Sequence, residues 1–205
     1  MIIGLSGKMG TGKTTLASLL CVRLVATGKL TATRLSFGEA VKREVAERYG
    51  FPVEWCYSPA GKAKTFSTAA IVEKEMLPPH MRFSPTRMTV RQALQYYATD
   101  YMRSKDPDHW IDKTAKDAEE ARRGGCRIIV VDDVRFPNEL EYVQRYGVCY
   151  RILPYDGWQP SYESAHTSET ALDRAQFDDS FEPSYGELPI LAERIADRVR
   201  ALYGY

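Results

Sequence analysis

Short apolar runs alternate with longer amphipathic stretches along most of this 205-residue chain. The clearest run, IIVV at 128–131, has no polar interruption and is typical of a strand that is buried on both faces of a parallel sheet. Runs of this kind predict strands at 2–6, 33–37, 127–131 and 148–153, with a further short strand near 177–181.

The stretches between these runs carry apolar residues at helical spacing. They predict helices at 15–24, 38–49, 108–123, 137–146 and 188–202. The alternation of strands and helices predicts an α/β fold, in which a doubly wound parallel sheet of about five strands carries helices on both faces. Ligands bind at the carboxyl ends of the strands in such a sheet.

One region interrupts this alternation. Residues 50–88 contain five prolines, and their only helical character lies at 68–76. A second segment with glycine, proline and aromatic residues follows the fourth predicted strand. We expect a single domain over 1–205, with a substrate-side insertion at 50–88 and a short lid-like loop at 154–167.

The segment GKMGTGKT at 7–14 matches the P-loop pattern G-x-x-x-x-G-K-[ST] and lies between a predicted strand and a predicted helix. Glycines let consecutive N–H groups point at one anion, and the helix adds the positive end of its dipole. Lys13 can reach the β- and γ-phosphates of a nucleotide, and the Thr14 hydroxyl can bind Mg²⁺. The alternative is a glycine-rich turn that binds nothing. The motif predicts a P-loop NTPase with a triphosphate site at Gly7, Lys8, Gly10, Thr11, Gly12, Lys13, Thr14 and Thr15.

Composition narrows the possible functions. Lys and Arg number 28 against 27 Asp and Glu, a balance that argues against a protein that coats nucleic acid. The four cysteines form no C-x-x-C pair, and three histidines are too few for a zinc site, so we expect buried free thiols in a reducing compartment. No apolar run approaches the length of a membrane span, and no signal peptide is recognisable. We expect a cytoplasmic protein that binds neither nucleic acid nor membrane.

Acidic residues follow the longest apolar run directly. Asp132 and Asp133 stand where a Walker B carboxylate organises Mg²⁺, and Arg135 lies two residues further along. Spacing does not decide which aspartate serves the metal. The alternative is a polar strand end, in which Asp133 caps the next helix and Arg135 pairs with Glu139. We expect Asp133 to bind the metal, and Asp133 and Arg135 to act in catalysis with Lys13.

A second polar group lies at 89–103. On a helix, Arg91 and Gln95 share one face, as do Gln95 and Thr99, and Arg103 follows twelve residues after Arg91 near the same side. Arginine can hold a phosphate with two parallel hydrogen bonds, and a glutamine amide can bind a base edge. The alternative is an amphipathic helix with solvated arginines, which composition alone favours.

His166 and Glu169 form a third candidate group in the segment HTSE. Here Thr167 or Ser168 could simply cap a short helix, and a lone histidine beside an acid is usually structural. A tryptophan such as Trp110 is likewise more often part of a core than a stacking platform. Residue type alone therefore favours structural roles for these positions.

Taken in order, these motifs resemble those of the bacteriophage deoxynucleoside monophosphate kinases. The motifs are the P-loop, RxxLQxxxT at 91–99, Trp110, DVRFPNE at 133–139, and HxxE at 166–169. The resemblance covers most of the chain outside 50–86, although Ala98 stands where the family pattern often has glycine. It implies a nucleoside monophosphate kinase-like fold and transfer of the ATP γ-phosphate to a deoxynucleoside monophosphate (dNMP).

The resemblance also implies roles for particular residues. Arg91 would act in catalysis, and one of Arg82 and Arg87, which compete for the role, would bind the acceptor phosphate. The acceptor site as a whole would comprise Phe37, Arg82, Arg87, Arg91, Gln95, Arg103, Trp110, His166 and Glu169.

We therefore expect a dNMP kinase whose partners are ATP, Mg²⁺ and a dNMP, located in the host cytoplasm if it is phage-encoded. A general base is not needed, because the acceptor phosphate is already close to a dianion. One alternative is another small-molecule P-loop kinase, such as a dephospho-coenzyme A kinase. Another is an NTP-binding regulator or assembly ATPase that is not a kinase. Whether the chain forms a homodimer stays open.

Overall fold

The computed structural model describes residues 1–83, 86–159 and 167–204. The chain divides into two compact units. We call Met1–Phe37 together with Thr114–Tyr205 the sheet unit, and Gly38–Lys113 the aromatic unit. The insertion predicted at 50–88 lies inside the aromatic unit, which extends beyond it on both sides.

The strands of the described residues are β1 (Ile2–Gly7), β2 (Ala32–Leu35), β3 (Thr65–Ser67), β4 (Arg87–Thr89), β5 (Ile128–Val134), β6 (Gly147–Ile152) and β7 (Asp179–Phe181). Five of them form one parallel sheet in the order β2-β5-β1-β6-β7. The antiparallel pair β3–β4 belongs to the aromatic unit. The predicted α/β fold with a parallel five-stranded sheet is confirmed, including the short strand near 177–181.

The α-helices of the same residues are α1 (Lys13–Val25), α2 (Phe37–Tyr49), α3 (Pro59–Ala63), α4 (Val90–Gln95), α5 (Arg103–Lys105), α6 (His109–Arg123), α7 (Pro137–Tyr146), α8 (Thr167–Thr170) and α9 (Leu188–Leu202). The predicted helical character at 68–76 is wrong, because only Lys74–Met76 form a short 3₁₀ turn. The N–H and hydroxyl of Thr68 both donate to the Thr86 carbonyl at 3.0 Å, which ties the start of this segment to a neighbouring strand end.

Helices cover both faces of the sheet. Ile3 and Leu5 of β1 point into a core that they share with α1 and α9. On the opposite face, a Cβ at Gly4 would lie 2.7 Å from Val143 Cγ1 of α7. The absence of a side chain at Gly4 therefore lets α7 pack directly against the central strand.

The aromatic unit has a core of its own, in which aromatic rings contact one another. The Tyr97 ring lies edge-on to Tyr49 at 5.8 Å, and Phe51 contacts Phe66 at 5.0 Å between centroids. Edge-to-face and tilted ring pairs of this kind are favourable beyond the area that they bury. Aromatic side chains therefore make up a large part of the core of this unit.

Candidate functional site

Residues 7–14, the glycine loop, connect the central strand β1 to the N-terminus of α1. Gly12 has a left-handed conformation (φ 83°, ψ 13°) at the N-cap of α1, and a Cβ there would lie 2.6 Å from Leu188 Cδ1. Gly7 has φ 149°, and its Cβ would lie 2.3 Å from the Ile152 carbonyl oxygen. Both positions require glycine. The loop thereby directs the N–H groups of the first turn of α1 toward the carboxyl edge of the sheet, where Thr14 and Thr15 are exposed.

Lys13 is the first residue of α1, and it is 7% exposed. Its Nζ donates to the Lys8 carbonyl at 2.6 Å, and the Thr11 hydroxyl donates to the same oxygen at 2.9 Å. Burial, and after it the Arg135 guanidinium, lowers the pKa of Lys13 to about 7, although Asp133 acts in the opposite direction. A bound anion would favour the charged ammonium, so this lysine is suited to an anionic ligand.

The two aspartates of β5 have different partners. Asp132 is buried and pairs with Arg34, with 2.8 Å between Oδ2 and Nη1. Asp133 accepts hydrogen bonds from the Ser36 hydroxyl and the Phe37 N–H, both at 2.8 Å, and so holds the start of α2. Of the two carboxylates, Asp133 raises the pKa of Lys13 more strongly. This difference favours Asp133 over Asp132 for a role beside the glycine loop.

Arg135 makes different contacts through its backbone and its side chain. The Glu139 carboxylate accepts the Arg135 N–H at 2.8 Å and the Phe136 N–H at 3.1 Å, at the N-terminus of α7. The Arg135 side chain pairs instead with Glu169, its Nη1 donating to Glu169 Oε1. The other oxygen, Glu169 Oε2, accepts the Met9 N–H of the glycine loop at 2.8 Å. Glu169 therefore connects Arg135 to the loop.

A second set of contacts reaches the glycine loop from residues that the sequence did not indicate. The Lys8 ammonium pairs with Asp173, and Asp173 Oδ1 also accepts from Arg151 Nη2 at 3.2 Å. The Arg151 Nη1 donates to the Ser6 hydroxyl at 3.0 Å. Arg151 lies beside Ser6 because β1 and β6 pair in that register. A charged residue inside a predicted apolar strand was the one available signal for Arg151.

Trp158 also contacts the glycine loop. Its Nε1 donates to the Met9 carbonyl at 3.0 Å. A Cβ at Gly10 would lie 3.3 Å from the same nitrogen, so the indole lies close against the loop. The beginning of the predicted lid-like loop, 154–159, is thus in contact with the glycine loop.

In the aromatic unit, Arg91 and Gln95 lie one turn apart on α4, as predicted. The chain stays helical through Arg103, but Tyr96–Met102 form a π-helical segment and Arg103 begins α5. The Trp110 indole N–H donates to the Ala98 carbonyl within that segment at 3.1 Å. A side chain that bonds into the helical ladder is a known cause of such irregularity. The α-helical spacing that put Arg103 beside Arg91 therefore does not apply.

The remaining arginines predicted for the acceptor have partners within the aromatic unit. Arg82 donates to the Leu77 carbonyl at 3.0 Å and to the Tyr96 hydroxyl at 3.1 Å. Arg87 donates to the Thr65 hydroxyl across the β3–β4 pair at 2.9 Å. Arg103 donates to the Pro107 carbonyl at 3.4 Å. A guanidinium has five N–H donors, so these contacts leave the choice between Arg82 and Arg87 open.

Two other residues predicted for the acceptor are buried, and a third is not described. Trp110 is fully buried, which favours the core interpretation that residue type alone indicated. Phe37 is 2% exposed and packs edge-on against the Tyr142 ring at 6.4 Å. His166 lies outside the described residues.

The described ranges contain no group of three or more His, Cys, Asp or Glu side chains that could hold a metal ion. The four cysteines are free, as predicted, but only Cys56 and Cys149 are buried, whereas Cys21 and Cys126 are partly exposed. None of the helices in these ranges is long and apolar enough to cross a membrane.

No protein-family model matches the chain, and no curated protein is significantly similar to it. The chemistry of the site must therefore be inferred from its own residues. A helix N-terminus, a buried lysine and an arginine converge on one loop. Groups of these kinds bind anions, and phosphate above all.

Proposed function

We propose that this chain is a P-loop kinase that transfers the ATP γ-phosphate to a dNMP, giving ADP and a deoxynucleoside diphosphate. The proposal rests on one observation above all, the left-handed Gly12 at the N-cap of α1 followed by the buried Lys13. This arrangement directs backbone N–H groups, the helix dipole and an ammonium at a single position. A triphosphate is the ligand that best uses all three.

Transfer of the phosphoryl group needs charge neutralisation and in-line positioning more than covalent help from the protein. Lys13 and the loop amides would hold the β- and γ-phosphates. Arg135, close enough to lower the pKa of Lys13, would neutralise the charge that develops on the transferred group.

Mg²⁺ would accompany ATP. The Thr14 hydroxyl is exposed at the first turn of α1, and the Asp133 carboxylate raises the pKa of Lys13 in the glycine loop. These two residues fit an ion that usually takes most of its ligands from water and substrate phosphates. When bound, Mg²⁺ supplies additional neutralisation of the phosphate charge.

Acceptor recognition is proposed for the aromatic unit because of the resemblance to the phage dNMP kinases. Arg91 would hold the acceptor phosphate, and Gln95, one turn away, would bind a base edge. The reaction needs no general base in this scheme.

The test is to incubate the purified protein with ATP and Mg²⁺, adding each of the four dNMPs, the ribonucleotides or dephospho-coenzyme A in turn, and to measure ADP and the phosphorylated acceptor. We expect ADP to form only when a dNMP is present. Phosphorylation of dephospho-coenzyme A alone would indicate the other kinase class. ATP hydrolysis without any acceptor would indicate an NTP-binding regulator, and absence of turnover with every dNMP would contradict the proposal.

A single variant separates the donor from the acceptor. Arg91→Ala should raise the KM for the dNMP about tenfold or more, because it removes a charge-assisted contact, while ATP affinity stays unchanged. Loss of ATP binding with an unchanged KM for the dNMP would argue against this assignment.

A further inference from the structure

Glu169 contacts the glycine loop and Arg135 at the same time. Its side chain is 4% exposed. Oε2 accepts the Met9 N–H at 2.8 Å, and Oε1 accepts from Arg135 Nη1. A buried carboxylate stays ionised only where its charge is compensated and its oxygens are hydrogen-bonded. The Glu169 carboxylate therefore depends on both the Met9 N–H and the Arg135 guanidinium.

The contact fixes one edge of the Arg135 guanidinium. Both protein contacts that the described residues provide, to Glu169 and to the Ser168 carbonyl at 3.4 Å, are made by Nη1. The guanidinium is planar and rigid, so holding Nη1 also orients Nε and Nη2. Within 1–83, 86–159 and 167–204 those donors contact no protein acceptor, so the protein directs them toward a ligand.

The backbone of Glu169 gives a second connection to the glycine loop. Its carbonyl accepts from Lys8 Nζ at 2.6 Å, next to the residue whose N–H the side chain binds. The position of α8 is thus coupled to the loop through two adjacent loop residues, and to Arg135 through the carboxylate.

We propose that Glu169 is a positioning residue, which holds Arg135 at a fixed place relative to the glycine loop so that the guanidinium meets the phosphoryl group in transfer. This inference rests on the proposed function. It replaces the contact with the acceptor that the resemblance implied for Glu169, because both carboxylate oxygens are bound to protein donors. A carboxylate in direct contact with an anionic acceptor would also repel it.

The first test is Glu169→Gln, which keeps an oxygen for the Met9 N–H and removes the charge that holds Arg135. We expect kcat to fall about 10- to 100-fold, with the KM values for ATP and dNMP within about threefold of wild type, because the lost contact acts in the transition state. The matched control is Glu141→Gln, which breaks an exposed pair with Arg145 on α7 and should leave kcat unchanged.

A double-mutant cycle tests whether Glu169 acts through Arg135. Arg135→Ala should lower kcat by about 10³-fold. In that background, Glu169→Gln should change kcat by less than about twofold, because the group that it positions is gone. Losses that multiply in the double variant would overturn the proposal. If Glu169→Gln does not fold, Glu169→Asp keeps the charge with a shorter reach, and the same cycle applies with a smaller expected loss.

A binding experiment separates this inference from the proposed function. Wild type and Glu169→Gln are titrated with ADP and Mg²⁺, with and without aluminium fluoride, which mimics a transferring phosphoryl group. We expect Glu169→Gln to weaken binding of the mimic about tenfold or more and to leave the affinity for ADP alone unchanged. That result supports the positioning role even if no acceptor is ever phosphorylated. Equal affinity of the two proteins for the mimic would overturn it, whatever the acceptor assays give.

Discussion

The protein disfavours the charged form of a buried lysine in the sheet unit and favours the charged form of a buried glutamate in the aromatic unit. Lys13 bonds to a backbone carbonyl, and its pKa is lowered to about 7, first by burial and then by Arg135. Glu44 accepts from the Tyr97 hydroxyl at 2.7 Å, His109 Nε2 at 3.0 Å and Lys113 Nζ at 2.8 Å. Burial alone would raise the pKa of Glu44, but these three donors outweigh it and lower the pKa to about 2.

The difference separates a structural charge from one suited to a ligand. The carboxylate of Glu44 has its charge compensated by protein groups, so it contributes to stability without a bound ligand. The ammonium of Lys13 is disfavoured where it lies, and a bound anion would relieve that cost. A buried charge with too little compensation is a physical indication of a binding site, and it requires no knowledge of relatives.

The largest expected effect comes from removing the poorly compensated charge. We expect Lys13→Met to lower phosphoryl transfer by about 10²- to 10³-fold, because a group that stabilises transition-state charge is lost. The same variant should unfold at a higher temperature than wild type near neutral pH, since a buried charge is replaced by an apolar chain of similar length. Initial rates and thermal unfolding measure the two effects.

Lys116→Met is the control for this variant, because Lys116 is exposed on α6. It should alter neither the rate nor the unfolding temperature. A Lys13→Met protein that keeps its activity, or one that loses both activity and stability, would remove the distinction between the two charges.

Removing the well compensated charge should act on stability. Glu44→Gln is expected to lower the free energy of unfolding by about 2–3 kcal/mol at neutral pH, because three donors lose their charged acceptor. The pKa of Glu44 is lower in the folded chain than the ordinary value of 4.5. Its contribution is therefore complete above about pH 4.5 and is lost as the pH falls toward 2.

Urea unfolding of wild type and Glu44→Gln at several pH values measures this contribution. The two curves should lie furthest apart near pH 7 and should approach each other on acidification. A difference in unfolding free energy that stays constant down to pH 2 would show that the charge of Glu44 is not the source of the stability.

The two units also differ in how well the sequence predicts their structure. In the sheet unit, α7 and α9 have the predicted bounds, because long periodic segments bury one face whatever their surroundings. In the aromatic unit, the helix predicted through Arg103 becomes π-helical at Tyr96–Met102, where the Trp110 indole bonds to Ala98. That contact joins residues on different elements, and no local pattern encodes it.

The same limit applies to the candidate site. The glycine loop and the acids of β5 are local motifs, and the sequence placed them at strand ends. The sequence also indicated Glu169 and Arg135 separately, but their pairing links positions 34 residues apart. Asp173, Arg151 and Trp158 were missed because their contacts with the loop depend on strand register and on the chain that follows β6.

Replacing a lysine of the aromatic unit should change the free energy of unfolding in the direction opposite to Lys13→Met, and by a smaller amount than Glu44→Gln. Lys113→Met removes one donor from Glu44 and should lower the free energy of unfolding by about 0.5–1 kcal/mol, a modest value because this ammonium is partly solvated. The same substitution at Lys13 should raise it. Thermal unfolding of the two Lys→Met variants side by side makes this comparison, and changes of the same sign would contradict it.

The smallest effect is a proton taken up on binding. The pKa of Lys13 is about 7 in the protein without ligand, and a bound triphosphate should move it back toward the ordinary value of 10.5. At about pH 8 most of the Lys13 side chains are neutral before binding and charged afterwards, so ATP·Mg²⁺ should bind with an uptake approaching one proton. At about pH 6 the ammonium is already charged, and the uptake should be small. Calorimetric titrations in buffers of different ionisation enthalpy measure this number directly.

Unfolding provides an independent check of the lowered Lys13 pKa. Between pH 7 and 10.5 the unfolded chain holds more protons than the folded one, so the stability of wild type should rise relative to that of Lys13→Met as the pH increases through this range. Because the Lys13 pKa is lowered, protons must be taken up on binding, and stability must rise with pH. A proton uptake that is the same in wild type and Lys13→Met would assign the titration to another group.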